Sequence, residues 1–197
     1  VTSLSSALKT RYAWVTVYLE RLRRLKTLAF CMDGRLQAPF EIDIDGTPCE
    51  KIIDHAQFVH YPENILDLFP ASAKLKELGA VSYMGVPLTD LTGAVLGHLA
   101  VIDNQPMPQA PRNLALFKIF AARAAAELRR IRTEKALRGR EAELQALVDS
   151  AMDGIVELDE DMRVVRMNPA ACSFFGLSPE TGTREPFSSF LTSASRD

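Results

Sequence analysis

The chain has 197 residues, of which 47% are hydrophobic and 24% are charged. This composition is that of a globular protein and excludes a chain that is disordered throughout. The 23 basic and 25 acidic residues give a net charge of −2, which argues against a nucleic-acid-binding surface built on bulk charge.

The first 111 residues have the pattern of a domain that mixes strands and helices. Tyr12 to Leu19 is rich in β-branched and aromatic residues and predicts a strand, and a second strand from Leu25 to Cys31 completes an antiparallel hairpin. A helix is predicted from Thr47, because Thr47 can cap it and Pro48 suits the first helical position. A strand at 58–61 and a short helix at 72–78 are predicted next.

The strongest strand signals lie at 80–88 and 94–102, on either side of the turn residues 90–93. The segment 95–102 is apolar on both faces apart from His98, which predicts a central strand that is covered on two sides. We therefore expect an α+β fold in which helices flank an antiparallel sheet of five or six strands.

One long helix is predicted over 112–150, a stretch that contains no proline and a single glycine, Gly139. Its apolar residues recur mainly at steps of four and three, which is typical of a coiled-coil seam, with a register slip near Gly139. The predicted seam residues are Phe117, Ala121, Ala124, Leu128 and Ile131, and after the slip Leu137, Leu144, Leu147 and Ala151. At about 1.5 Å per residue the helix would run about 60 Å, which is more than a small domain can cover. We therefore predict a parallel homodimer through 114–150. The alternative is that the helix folds back on its own sheet.

Residues 151–197 begin a second, incomplete domain. Two strands and one short helix cannot close a core, and little regular order is expected over 180–197. The charge also divides the chain, because 112–150 is net positive and lies between two net negative segments. The predicted elements are strands at 155–158 and 164–167 and a helix at 170–175 that Asn168-Pro169 opens.

Several runs of sequence carry a family resemblance. The most specific is LGAVSYMGVPL at 78–88, followed by Gly93 and by GHL at 97–99, and shorter runs are GTPCE at 46–50, HYP at 60–62 and LFP at 68–70. With these runs, residues 12–103 resemble a GAF domain of bacterial signalling proteins whose first helix is shortened at the N-terminus. DGI at 153–155, NPAA at 168–171 and FG at 175–176 make residues 145–176 similar to the opening of a PAS domain.

These resemblances imply a GAF-like sensor domain at 1–111, a signalling helix at 112–150 and an incomplete PAS-like domain at 151–197. They further imply a cytoplasmic input region of a longer protein, such as a two-component system. Its output domain would be a histidine kinase, a diguanylate cyclase or phosphodiesterase, or a sigma-54-type activator. The three widely spaced cysteines suit a reducing compartment, and no apolar run approaches the roughly 18 residues of a membrane helix.

No catalytic residues are predicted, and this part of the protein is not expected to be an enzyme. The glycines form no phosphate-binding loop, and no nucleophile motif accompanies any histidine. The three histidines share no spacing for a metal, and the cysteines make no Cys-x-x-Cys pair. No metal site, no nucleic-acid partner and no membrane partner is expected, and no cofactor can be named.

In a GAF domain the ligand lies between the sheet and the segments that cover one of its faces, which correspond to residues 41–79. Cys49, His60, Tyr83 and His98 are therefore the predicted ligand-binding residues. Each also has a plain structural interpretation: a buried inert thiol for Cys49, a strand end at His60, and core residues with satisfied hydrogen bonds for Tyr83 and His98. A helix N-terminus could instead lower the pKa of the Cys49 thiol.

The predicted function is therefore a sensory input module that binds a small ligand or senses redox state and passes the signal along a dimeric helix. The alternative is a dimerisation scaffold whose GAF fold binds no ligand.

Overall fold

A computed structural model describes residues 1–177 and 184–191. The chain divides into two compact units, Val1–Arg132 and Thr133–Asp197. No helix among the described residues is both long enough and apolar enough to cross a membrane.

The first unit is built on an antiparallel sheet of seven strands rather than the five or six expected. The strand order is β3-β2-β1-β7-β6-β5, with β4 also paired to β2. The central position predicted for the strand at 95–102 is confirmed, because it lies between β1 and β6. The strands are β1 Tyr12–Leu19, β2 Arg24–Met32, β3 Arg35–Gln37, β4 Glu41–Asp43, β5 Val59–Tyr61, β6 Ser82–Thr89 and β7 Val95–Asp103.

The two additional strands, β3 and β4, have three residues each and lie beside β2. Such short segments carry too few residues for an alternating pattern to stand out in the sequence. The helices of the unit are α1 Thr2–Leu8, α2 Pro48–His55, α3 Ile65–Leu68, α4 Ala73–Glu77 and the long α5 Pro111–Ser150, which continues into the second unit.

The helix predicted from Thr47 is confirmed as α2. Thr47 is the N-cap, its hydroxyl oxygen accepts a hydrogen bond from the backbone N–H of Cys49 at 3.3 Å, and Pro48 occupies the first helical position. This cap fixes the point at which the chain turns over the sheet, and it therefore positions Cys49.

Both faces of the sheet are covered. On one face, here called the cavity face, Trp14 and Tyr83 pack with Ile52 of α2 and Leu75 of α4. On the opposite face, here called the helix face, the strands pack against α1 and α5. Neighbouring residues of one strand point to opposite faces, so Trp14 lies on the cavity face and Ala13 on the helix face.

The coiled-coil seam predicted along 114–150 is divided. Phe117, Ala121 and Leu128 are buried against the sheet of their own unit, so the alternative in which the helix folds back holds for this part. Ala125, which was not a predicted seam residue, is buried beside them, whereas Ala124 is only partly buried. The remaining seam residues of α5 are exposed: Ile131, Leu137, Leu144 and Leu147.

The second unit contains the predicted hairpin and helix, as β8 Val156–Leu158, β9 Val164–Met167 and α6 Pro169–Phe175. Asn168 is buried and ties these elements together. Its side-chain oxygen accepts hydrogen bonds from the backbone N–H groups of Ile155 and Ala171, and its amide nitrogen donates to the carbonyl groups of Val148 and Asp153. The helix start predicted at Asn168-Pro169 is therefore confirmed.

The expectation of little regular order over 180–197 falls partly outside the described residues, at 180–183 and 192–197. Residues 184–191 differ from it. They contain a short 3-10 helix, Phe187–Phe190, and Pro186 forms a β-bridge with Arg163. The hydrogen bond from the backbone N–H of Val164 to the carbonyl oxygen of Glu185 ties this segment to β9.

Candidate functional site

A cavity of about 420 Å³ lies over the cavity face of the sheet. Its size is within the range of pockets that hold small molecules. Its walls come from β1 and β6 of the sheet, from the segment around β4 and the start of α2, and from residues 71–75. The lining residues are Trp14, Phe40, Glu41, Ile42, Asp43, Asp45, Thr47, Pro48, Cys49, Ala71, Ser72, Ala73, Lys74, Leu75 and Tyr83.

Trp14, Cys49 and Tyr83 form the inner wall of the cavity, because they line it and are at most 1% exposed. The Cys49 sulfur lies 3.5 Å from the Tyr83 hydroxyl oxygen and 3.6 Å from Nε2 of His98. The structure thus brings three of the four predicted ligand-binding residues together, although His98 lies behind the wall and does not line the cavity.

His98 is held in one neutral form by its partners. The indole N–H of Trp14 donates to Nε2 at 3.0 Å, so Nε2 is unprotonated and the ring proton is on Nδ1, which lies 2.7 Å from the Thr16 hydroxyl oxygen. Burial lowers the pKa of His98 from 6.5 to about 3. His98 is therefore an uncharged positioning residue for Trp14, which lines the cavity.

Cys49 is not an activated thiol in this environment. Burial raises its pKa, more than the hydrogen bonds from Tyr83 and Thr47 lower it. The neutral His98 supplies no positive charge that would stabilise a thiolate. The geometry therefore favours the inert interpretation of Cys49 over a reactive thiol at a helix N-terminus.

Carboxylates surround the outer part of the cavity. Glu41 and Asp43 both form ion pairs with the guanidinium group of Arg24, each at 3.0 Å. Asp45 bonds to Arg23 at 2.9 Å. These ion pairs are exposed to solvent, so they fix the position of the side chains more than they stabilise the fold.

Lys74 is the cationic residue of the lining. Its ammonium nitrogen lies 2.8 Å from the Glu77 carboxylate and 4.4 Å from the centre of the Phe40 ring. The aromatic ring and the carboxylate together hold this charge at the cavity wall.

His60 does not join the site. It lies on β5, opposite Met84 of the helix face, and its Nε2 donates to the carbonyl oxygen of Met107 at 2.9 Å. The Met107 N–H in turn donates to the carbonyl oxygen of Pro62 at 2.8 Å. His60 therefore fastens the loop that precedes α5 to the end of β5.

Trp14, Phe40 and Lys74 line the cavity, although no motif in the sequence marks them as binding residues. Trp14 is the only tryptophan of the chain, but it lies within a predicted strand where an aromatic residue is ordinarily part of the core. Only its position on the same sheet face as Tyr83 reveals its place at the cavity.

We expect the folded protein to lose stability in acid through His98. Because its folded pKa is below the unfolded value of 6.5, the unfolded state binds the proton first. The contribution of His98 is therefore complete above pH 6.5 and is lost as the pH falls toward 3. The free energy of unfolding can be measured with denaturant at pH 6 and at pH 4. Between these values it should fall more steeply in the natural protein than in His98→Gln, by about 1.4 kcal/mol per pH unit.

The matched control for this experiment is His60→Gln, which changes a histidine outside the network. The hydrogen bonds of His98 are intact in this variant, so its slope should still exceed that of His98→Gln. Equal slopes for His98→Gln and the natural protein would show that His98 is not held neutral by the fold.

Comparison with known families identifies the fold. The GAF domain family model matches residues 1–128, and the chain belongs to the GAF domain family. A PAS domain family model matches residues 142–196. The predicted order of a GAF domain followed by a PAS domain is therefore confirmed. GAF and PAS domains are sensory domains of signalling proteins, and the chain is a sensory module of that class.

Solved GAF domains share the fold at low sequence identity. The GAF domain of a Coxiella burnetii phosphoenolpyruvate-protein phosphotransferase is 16% identical, with a TM-score of 0.55 over 69% of this chain and 82% of that one. The corresponding domain from Acinetobacter is 14% identical, with a TM-score of 0.53 over 69% and 81% of the two chains.

A third structure with the same fold is the blue-light absorbing form of the PixJ GAF domain from Thermosynechococcus elongatus. It is 16% identical, with a TM-score of 0.53 over 71% of this chain and 86% of that one. The comparison with curated proteins gives no significant match.

Proposed function

We propose that residues 1–132 bind a small molecule in the cavity and that binding is passed to α5, so that the chain is the cytoplasmic input region of a signalling protein. The observation that carries the proposal is the cavity of about 420 Å³ whose inner wall is Trp14, Cys49 and Tyr83. Three cysteines that are all unpaired are consistent with a reducing compartment.

The proposed activity is binding without turnover. Cys49 and His98 lie 3.6 Å apart, which is the reach of a nucleophile and its base. However, burial opposes the charged form of both groups, because it raises the pKa of the thiol and lowers that of the imidazole. The pair therefore supports a structural role beside the cavity better than a catalytic one.

The sheet supplies a physical route from the cavity to α5. Trp14 and Tyr83 lie on the cavity face, and their neighbours Ala13 and Met84 belong to the cluster that packs on Phe117 of α5. A ligand that shifts β1 or β6 therefore also shifts the residues on which α5 packs. Closely packed cores transmit such shifts because they have little free volume.

The relay would continue along α5 to the PAS domain and on to an output domain of the kinase, cyclase, phosphodiesterase or activator type. The homodimer is also part of this proposal. Since Phe117, Ala121 and Leu128 are buried within their own unit, a second copy would contact the helix mainly between residues 131 and 147. The proposed dimer interface is therefore an apolar stripe of about two heptads on each helix.

The fluorescence of Trp14 provides a direct test of ligand binding, because this single tryptophan lines the cavity. In a screen of metabolites against the full chain, we expect at least one compound to shift Trp14 emission and to raise the melting temperature. A ligand at 100 times its Kd adds about 2.7 kcal/mol to the free energy of unfolding.

A blocked cavity is the matched control for the screen. Ala71 is an exposed lining residue, and Ala71→Phe should abolish both responses while the protein stays folded. Ala38→Phe, at an exposed residue outside the lining, should leave both responses unchanged. A folded protein that responds to no compound would instead support the scaffold without a ligand.

A further inference from the structure

Tyr83 belongs to the inner wall of the cavity, and its hydroxyl has a weak partner. Tyr83 is fully buried, and the only hydrogen-bond partner of its hydroxyl among residues 1–177 and 184–191 is the Cys49 sulfur at 3.5 Å. Sulfur is a poor acceptor, so this O–H group gains little from the contact. A buried hydroxyl beside a cavity would gain more from an oxygen acceptor on a bound molecule.

The hydrogen bonds can rearrange around such a molecule without leaving a polar atom unpaired. When Tyr83 donates its proton to a ligand oxygen, the Cys49 thiol can donate to the phenol oxygen over the same 3.5 Å. The ligand therefore replaces a weak O–H···S contact with an O–H···O hydrogen bond, and the S–H group keeps a partner.

The inner wall has no positive charge for an anionic ligand. His98 stands behind the wall in its neutral form, with Nε2 occupied by the Trp14 N–H. Burial raises the pKa of Cys49 and Tyr83, so both remain protonated at neutral pH. Lys74, the cation of the lining, is already paired with Glu77 and lies over the Phe40 ring. A carboxylate or phosphate placed at the inner wall would therefore lose its hydration without gaining a free counter-ion, whereas a carbonyl group carries no charge that needs one.

The outer part of the cavity also disfavours anions. Three separate groups of ion pairs around the lining together contain five carboxylates and three cations, a net charge of −2. Such a mouth attracts positive groups and repels negative ones. Its carboxylates are Glu41, Asp43, Asp45, Asp54 and Glu77, and its cations are Arg23, Arg24 and Lys74.

The aromatic side chains indicate the shape of the ligand. Trp14 and Phe40 both line the cavity, and their rings meet edge to face at 5.7 Å between centroids. Aromatic rings in a cavity wall pack well against a flat molecule.

Building on the proposed ligand-binding function, we infer that the cavity takes a flat, neutral or cationic molecule that presents a carbonyl oxygen to the Tyr83 hydroxyl, and that it discriminates against carboxylates and phosphates. Tyr83 is thus the residue that determines specificity at the inner end. The acidic mouth determines it at the outer end.

Benzamide and benzoate test this inference, because they have nearly the same shape and differ in charge. Titrated into the full chain and followed by Trp14 fluorescence, benzamide should bind with a Kd on the order of 1 mM, as expected for a small fragment. Benzoate should bind at least tenfold more weakly. Tyr83→Phe should weaken benzamide binding by roughly five- to tenfold, which is the effect of one neutral hydrogen bond.

Tyr18→Phe is the matched control, because Tyr18 packs on the same cluster but does not line the cavity. It should leave benzamide binding unchanged. Benzoate that binds as tightly as benzamide would overturn the inferred ligand class and leave the ligand-binding function standing. Unchanged benzamide binding in Tyr83→Phe would overturn the role of Tyr83. No response to benzamide or to any compound of the metabolite screen would overturn both proposals.

Discussion

Gly97→Ala is expected to destabilise residues 1–132 strongly. Gly97 lies in β7, where an added methyl group would overlap the backbone carbonyl group of Thr16 in β1. Both groups belong to central strands, so neither backbone can move aside without breaking the pairing of the sheet. We expect a loss of more than about 3 kcal/mol, which is a large part of the 5–15 kcal/mol of a typical domain. Denaturant unfolding followed by Trp14 fluorescence measures this loss.

Gly139→Ala is the matched control for the same chemical change. Gly139 lies within α5, and an added methyl group there meets nothing within 4 Å. Alanine is favoured over glycine in a helix interior by about 1 kcal/mol, so this variant should be slightly more helical and more stable. A Gly97→Ala protein with the natural unfolding midpoint would show that the backbones of β1 and β7 are not in close contact at this point.

Phe117→Ala is expected to lower the free energy of unfolding of the first unit by about 3–5 kcal/mol. Phe117 is fully buried on the helix face and is part of the cluster with Ala13, Met84 and Val101. Truncation leaves a cavity between α5 and the sheet, which the surrounding residues cannot fill completely. Because the contact is within one chain, the loss should not depend on protein concentration.

Leu144→Ala separates packing within the chain from the proposed dimer. Leu144 belongs to the same predicted seam but is 63% exposed. The variant should leave the stability of the first unit unchanged and should lower the fraction of dimer in sedimentation at a given concentration. An effect of Phe117→Ala that disappears at high concentration would mean that Phe117 contacts a second copy. Sedimentation of the natural chain as a monomer would contradict the dimer.

Much of the fold could be predicted because its signals are local. Thr47 and Pro48 mark the start of α2, Asn168 and Pro169 mark that of α6, and the apolar segment at 95–102 identifies the central strand. Caps and alternation act between residues a few positions apart, so they can be read directly from the sequence. The short strands β3 and β4 lack such a signal and were not predicted.

The candidate site was only partly predictable. Cys49, Tyr83 and His98 were expected from the family resemblance, and they do meet. The expectation for His60 differs from the structure, because its side chain serves the loop before α5. Tyr83 and Met84 are neighbours in β6 and point to opposite faces of the sheet. His60 pairs with Met84, so its side chain lies on the helix face and not on the cavity face.

The sequence by itself determined the class of this protein: a GAF domain, a long helix and a PAS domain, each carried by local runs of residues. The tertiary structure alone decided which face of α5 is buried and which residues surround the cavity. The hydrogen bond between Trp14 and His98 joins residues 84 positions apart, and burial of Phe117 depends on strands far from it in the chain. Contacts of this kind depend on the order of strands and on the chain packing over them, which local propensity does not encode.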